Sequence, residues 1–206
     1  MLSVIHLDDR LIVLDKPAGL LSVPGIGPEK ADCLAARVDA AFPGARIVHR
    51  LDRDTSGVIL MARDAAAHRE MSIQFQERLV AKRYEAIVLG EPAEDGGVID
   101  LPIRKDFDHK PRQMIDHVHG RSAVTRWRVA ERLGDRSRIE LEPLTGRSHQ
   151  LRLHLQQLGH PILGDELYAP PEGFAMADRL LLHATRLDVI HPETAAPLTF
   201  ICPAPF

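Results

Sequence analysis

The sequence has little cysteine. Cys33 and Cys202 stand far apart, which excludes a disulfide-stapled scaffold and suits a reducing compartment; both are expected to be small buried apolar residues. No apolar run approaches the roughly 18 residues that span a bilayer. The opening MLSVIHLDDR lacks the positive region, apolar stretch and cleavage site of an export signal, so a cytoplasmic protein without a membrane anchor is expected. Cys-x-x-Cys and His-Glu-x-x-His are missing, and His109, His117, His119 and His160 stand without a compact carboxylate set, so no metal is expected. Basic excess is missing as well. With 26 Lys and Arg against 29 Asp and Glu the net charge is −3, which for the whole chain discourages a polyanionic partner.

What is present is the composition of a folded globular chain, 45% hydrophobic and 27% charged over 206 residues, enough for one large domain or two small ones. No repeat, low-complexity block or linker divides it, so one domain over 1–206 is the reading. The overall charge hides a split: residues 101–160 hold 12 basic and 7 acidic residues, a net +5. One face can be basic while the total is acidic.

Residues 4–7 and 11–14 read as short strands joined at Asp8-Asp9-Arg10. A glycine- and proline-rich loop follows up to Pro28, then a helix over about 31–41 and an apolar buried strand over 57–62. Asp64 can cap a helix whose Met71, Phe75 and Leu79 recur every four residues. Residues 84–89 read as a strand, 91–97 as a turn. Residues 123–129 and 139–144 read as a hairpin across Gly134-Asp135. Gly146 precedes a helix over about 147–158 with Leu151, Leu155 and Leu158 as its buried stripe, and Gly159 sits where a C-terminal cap is expected. Residues 180–182 and 186–190 read as late strands or one broken strand. Strands in hairpin-like groups without regular βαβ alternation indicate an α+β fold.

Three clusters can carry chemistry. His49-Arg50-Leu51-Asp52-Arg53-Asp54-Thr55-Ser56-Gly57 is a loop at a strand edge, where functional residues are often placed; it fits an ionised, hydrogen-bonded carboxylate and equally a charged, self-capped turn. Thr145-Gly146-Arg147-Ser148-His149-Gln150-Leu151-Arg152 opens a helix, whose N-terminal N–H groups favour anions, though an ordinary amphipathic surface helix has the same pattern. Lys82 and Tyr84, the latter one of two tyrosines, share a strand face; the tyrosine can be core or a platform for a base.

Taken together these clusters resemble the pseudouridine synthases of the RluA family. Asp15-Lys16-Pro17-Ala18-Gly19-Leu20-Leu21-Ser22-Val23-Pro24-Gly25 is similar to the family's first motif, and His49-Arg50-Leu51-Asp52 with Thr55-Ser56-Gly57 to its catalytic motif. Lys82-x-Tyr84 is similar to the third. Thr145 to Arg152 with Gly159-His160-Pro161-Ile162-Leu163-Gly164-Asp165 is similar to the fourth, and Leu180-Leu181-Leu182-His183-Ala184 to a fifth. In this order they cover most of the chain.

The resemblance implies the pseudouridine synthase fold, a mixed, mainly antiparallel central sheet flanked by helices and loops with a catalytic cleft across the sheet. It implies conversion of specific uridines to pseudouridine in RNA, and the likeness is closest to the short, dual-specificity member that acts on 23S ribosomal RNA and the tRNA anticodon stem-loop. A single catalytic domain is expected, with no room for the S4-type RNA-binding domain of many members, acting as a monomer without cofactor or metal. The implied catalytic residues are Asp52 as the carboxylate, Arg152 as its ion-pair partner and Tyr84 stacked on the target uracil. Arg50 is implied to fill the space the flipped base leaves, and Leu182 to pack on the uracil's other face. His49, Thr55, His149 and Gln150 are implied substrate contacts, and Lys16, Arg53, Arg104, Lys105, Lys110, Arg112 and Arg147 phosphate contacts. Two rivals share fragments. Asp52-Arg53-Asp54-Thr55 also matches the Asp-x-Asp-x-Thr order of magnesium-dependent aspartyl phosphatases, which explains no other motif, and a non-catalytic RNA-binding module would not need Asp52, Tyr84 and Arg152 together.

Overall fold

Uninterrupted apolar runs form strands buried on both faces, and alternating runs form half-buried ones; this chain uses both. The computed structural model describes residues 2–206. In chain order it contains β1 (Ser3–Leu7), β2 (Leu11–Lys16), α1 (Leu34–Ala41), β3 (Arg46–Ile47), β4 (Ser56–Ala62), α2 (Ala65–Gln76), β5 (Ala81–Leu89) and β6 (Gly96–Asp100). There follow β7 (Ile103–Lys105), β8 (Gln113–Ile115), β9 (Val124–Arg132), β10 (Arg136–Pro143), α3 (Gln150–Gln157), α4 (Pro171–Ala175), β11 (Leu182–Ile190) and β12 (Pro197–Ile201). The chain divides into two compact units, Met1–Lys82 with His183–Pro205, and Arg83–Leu182 with Phe206.

In the first unit the strand order is β1-β2-β4-β11, with β3 on β4 and β12 on β11. β2 is antiparallel to β1 and to β4, β12 is antiparallel to β11, and β4 runs parallel to β11. Every residue of β4 is buried, as its continuous apolar composition requires. At roughly 1.5–3 kcal/mol for each large aliphatic side chain buried, this strand and β2 anchor the unit. Gly57 has φ +107 and faces Ala184 so closely that a Cβ would collide with that residue's backbone. Only glycine admits both the conformation and the approach. α2 packs on β3 and β4 through Ala67 and Met71, and Asp64 caps it as expected, accepting from the Ala67 N–H at 2.8 Å.

In the second unit the order is β5-β10-β9-β6, antiparallel throughout. The β9–β10 hairpin turns at Gly134-Asp135 as the sequence indicates, and β10 buries every second residue. Its inward positions, with Leu151 and Leu155 of α3, build a core that includes Trp127, Ile139, Leu141, Ile162, Leu180 and Leu182. β7 and β8 form a separate two-stranded hairpin.

Several boundaries differ from the sequence reading. α1 begins at Leu34 because the Cys33 sulfur accepts from the Ala36 N–H. α2 ends at Gln76; Arg78 turns left-handed and leaves Leu79 65% exposed, outside the stripe. α3 begins at Gln150, three residues later than its composition suggested. The late strand is continuous from 182 to 190, and β3, β6, β7, β8 and β12 lie in stretches whose period was too short or too polar to register. No described helix is long and apolar enough to cross a membrane.

Candidate active site

Asp52 lies in the first unit, on the loop that feeds β4, and the main chain on either side of it is clamped. The Ser22 hydroxyl donates to the Leu51 carbonyl at 2.6 Å and accepts from the Leu51 N–H at 3.1 Å. The Lys16 ammonium donates to the carbonyl of Arg53 at 2.9 Å, and also to those of Pro17 and Leu20 at 2.9 and 2.8 Å. A loop that would ordinarily be mobile is thereby tied to the end of β2 and to the segment after it. Asp52 itself remains half-buried, presented between two anchored peptides.

Lys16 therefore departs from its expected role. Its side chain is 0% exposed and spends three donors on backbone carbonyls, so it cannot serve as a phosphate contact. Ser22, its counterpart, stands within the first motif without a role of its own there, because a serine in a glycine- and proline-rich loop carries no pattern that names its partner.

His49 is also committed within the unit. The Leu60 N–H donates to its Nε2 at 3.0 Å, and its ring stacks on Phe75 at 4.5 Å. Burial, with the Lys82 ammonium adding to it, pushes its pKa down to about 3. The neutral ring holds the loop against β4 and α2. Because the folded value lies below the ordinary 6.5, the unfolded chain binds the extra proton, so this contribution is complete above pH 6.5 and is lost as pH falls toward 3. Urea midpoints measured between neutral and mildly acid pH should fall, and His49→Gln, whose amide oxygen can still accept from Leu60, should flatten that decline.

The other residues of the loop separate. Arg50 is exposed. Arg53 is exposed and forks onto Asp54 at 2.9 and 3.1 Å, which occupies the second acid of the Asp-x-Asp-x-Thr fragment. Thr55 and Ser56 are buried, and Ser56 Oγ lies 2.7 Å from His183 Nδ1.

In the second unit Arg152 is 3% exposed, and its partner is a residue that had been given no role. Its Nε and Nη2 donate to the two oxygens of Asp165 at 2.7 and 2.6 Å, a buried bidentate pair. Asp165 holds Arg152 by two bonds, and a fully buried carboxylate requires such a counter-charge. Gly164 positions that carboxylate, with φ +71 and no room for a Cβ against the backbone of Arg179. Tyr84 is half-buried and packs against the same core cluster that contains Leu182, itself 3% exposed.

Gln150 likewise proves internal. Its Oε1 accepts from the Thr145 hydroxyl and the Arg147 N–H, and its Nε2 donates to the Val124 carbonyl and the Thr125 hydroxyl. All four capacities of the amide are used inside the protein, so it fixes the turn instead of a substrate. That turn is closed by His149 at φ +53, and it delays the start of α3. Arg147 donates to the Ser122 carbonyl at 3.1 Å.

Many of the cations of residues 101–160 are paired on the surface, some with acids of the same stretch and two with Asp95 and Glu85 from outside it. Arg126 and Arg128 face Glu142 and Glu140 across the β9–β10 hairpin, Arg132 pairs with Asp95, Arg138 with Glu85 and Arg104 with Asp116. Surface pairs of this kind are worth about 0–1 kcal/mol each. Lys105, Lys110 and Arg112, at the end of the β7–β8 hairpin, are exposed.

Among the described residues one compact set of possible metal ligands comes together, Asp15, His183 and Cys202 in the first unit, whose ligand atoms lie within 4.8 Å of one another. His183 Nε2 is 3.1 Å from the Cys202 carbonyl, which can only accept, so that nitrogen carries the proton and Nδ1 accepts from Ser56. Burial, with Asp15 beside it, pushes the Cys202 thiol up to about 12. Both ring nitrogens of His183 are engaged in hydrogen bonds, to Ser56 and to the Cys202 carbonyl, which makes the set a hydrogen-bonded junction at the start of β11.

A family model described as RNA pseudouridylate synthase matches residues 10–157. The chain is 50% identical to the dual-specificity RNA pseudouridine synthase RluA of Yersinia pestis, covering 98% of this chain and 99% of that protein. It is 48% identical to the protein of the same name from Haemophilus influenzae, over 97% of this chain and 91% of that one. Among solved structures, human RNA pseudouridylate synthase domain containing 1 superposes with a TM-score of 0.84 at 29% identity, over 100% of this chain and 84% of that one. Fold and sequence thus define an RNA pseudouridylate synthase with the α+β fold of that class. Within the class the chain belongs to the RluA family, and it is an isomerase that forms pseudouridine in RNA.

Proposed function

We propose that Asp52 is the carboxylate on which this isomerisation turns, and that the chain acts on both large-subunit (23S) ribosomal RNA and the tRNA anticodon stem-loop. The observation that carries the first part is the pair of clamps around Asp52. Ser22 and Lys16 hold the peptides of Leu51 and Arg53, so the carboxylate is preorganised by groups that do not use the carboxylate itself. The second part rests on near-complete coverage of relatives whose names carry the words dual-specificity.

The reaction breaks the N1–C1′ bond, turns the uracil and joins C5 to C1′; the C5 proton leaves and N1 gains one. Asp52 either attacks C1′ or removes the C2′ proton. No electrons leave the substrate, so the chemistry calls for neither cofactor nor metal. The uridine must first leave its stack, at a cost of a few kcal/mol; Arg50, exposed beside Asp52, fills the gap with its planar guanidinium. Tyr84 stacks on the uracil with Leu182 supporting the opposite face, and Arg152 supplies a fixed positive charge. Arg53, Arg147, His149 and the hairpin cations Lys105, Lys110 and Arg112 contact the RNA backbone. The enzyme works as a monomeric single catalytic domain in the cytoplasm, where both RNAs reside.

RNA transcripts tritiated at C5 of uridine should release tritium to water with this protein alone and with EDTA present. Release from both a 23S fragment and an anticodon stem-loop supports the reading; release from one alone overturns dual specificity, and a strict need for added metal overturns the mechanism. Tyr84→Phe should retain binding and lower turnover if the hydroxyl moves a proton; unchanged turnover confines Tyr84 to stacking.

A further inference from the structure

We infer that Tyr168 is a positioning residue that couples the seat of the β7–β8 hairpin to the orientation of Arg152. The inference rests on the reading of Arg152 as catalytic. Every contact that carries it lies within the second unit.

The ring of Tyr168 lies against the Arg152 guanidinium, 5.2 Å from its carbon to the ring centroid, on an arginine that Asp165 already grips. The backbone N–H of Tyr168 donates to the same Asp165 at 3.1 Å, alongside that of Leu167 at 2.9 Å. Any shift of Tyr168 therefore moves both the face packed on the guanidinium and a donor to its counter-ion. The hydroxyl points to a different element. It accepts from the Gln113 N–H at 2.7 Å, the first residue of β8, and lies 2.9 Å from His149 Nδ1.

The His149 ring meets the tyrosine edge-on at 84°, and His149 is the left-handed residue three positions before Arg152. Non-glycine residues hold that conformation at a cost and need external support. The hydroxyl supplies it, and the body of the ring completes the apolar seat of the hairpin, packing with Ile115 against Ile103, Ala123 and Leu153. One side chain thus touches the hairpin, the turn before α3 and the arginine on α3. A hairpin bearing Lys105, Lys110 and Arg112 that is drawn toward RNA phosphates pulls on the same tyrosine that sets the guanidinium plane.

Steady-state kinetics with Tyr168→Leu, Tyr168→Phe and Arg152→Lys, well below each variant's melting temperature, tests this. Tyr168→Leu should lower kcat about tenfold, the scale of a partly buried cation–π contact. Tyr168→Phe, which keeps the ring and loses the hydroxyl, should recover most of kcat with a raised KM for RNA. In the Arg152→Lys background Tyr168→Leu should cost little further kcat, since both act through one group. A parental kcat in Tyr168→Leu, equal losses in the Leu and Phe variants, or additive losses with Arg152→Lys overturns the coupling. A parental kcat in Arg152→Lys alone overturns the reading of Arg152 instead.

Discussion

Asp52→Asn is expected to reduce tritium release from C5-labelled RNA by about 10⁴-fold or more, the scale on which removal of a nucleophile or essential base acts. The fold should survive it. The loop is held through the peptides of Leu51 and Arg53, by Ser22 and Lys16, and asparagine keeps the size of the side chain while removing its charge. Unchanged circular dichroism and an unchanged urea midpoint, with release at background, are the expected result. Release within tenfold of the parent enzyme would show that the chemistry uses another group.

The second large effect belongs to Asp165. Asp165→Asn should destabilise the protein by about 3–5 kcal/mol, because it leaves the guanidinium of Arg152 buried without its counter-charge. The asparagine oxygen can still accept from Leu167 and Tyr168, so most of the loss reflects the ion pair. Urea unfolding measures it. Replacing both partners, Arg152→Met with Asp165→Leu, should recover a large part of that stability, as apolar substitution of buried pairs often does, without restoring tritium release. Recovery of activity in the double variant would assign the pair to the core alone.

Much of this was legible from residue order. Strand β4 announced itself by an unbroken apolar run, the Asp64 cap by its position before a helical period, and the hairpin by Gly134-Asp135. The motifs singled out Asp52, Tyr84 and Arg152, on which the proposed mechanism is built. What stayed hidden was the work of polar side chains that turn inward. Lys16 looked like a phosphate ligand because lysines are nearly always exposed; three carbonyls converging on one ammonium is a tertiary fact with no local signal. Gln150 looked like a substrate contact for the same reason. Asp165 could have been found, since an acid directly after the apolar Ile162-Leu163-Gly164 invites the question of its counter-charge, but nothing in the spacing names Arg152 as the answer. The basic excess of residues 101–160 is partly met by acids from outside that stretch, Glu85, Asp95 and Asp165, and such pairings are visible only once register and tertiary contacts are known.

The parallel pairing of β4 with β11 joins Ser56 to His183, 127 residues further along, and so sets an order of assembly on the ribosome. The second unit is almost one continuous stretch, Arg83–Leu182, and can begin to fold as soon as that stretch has emerged. The first unit cannot: the strand that meets Gly57 is synthesised only after the whole of the second unit's main stretch, and contacts so distant in sequence form slowly. The nascent chain therefore carries Asp52 in a half-built sheet until β11 has been made, and the loop that feeds β4 is fully seated only then.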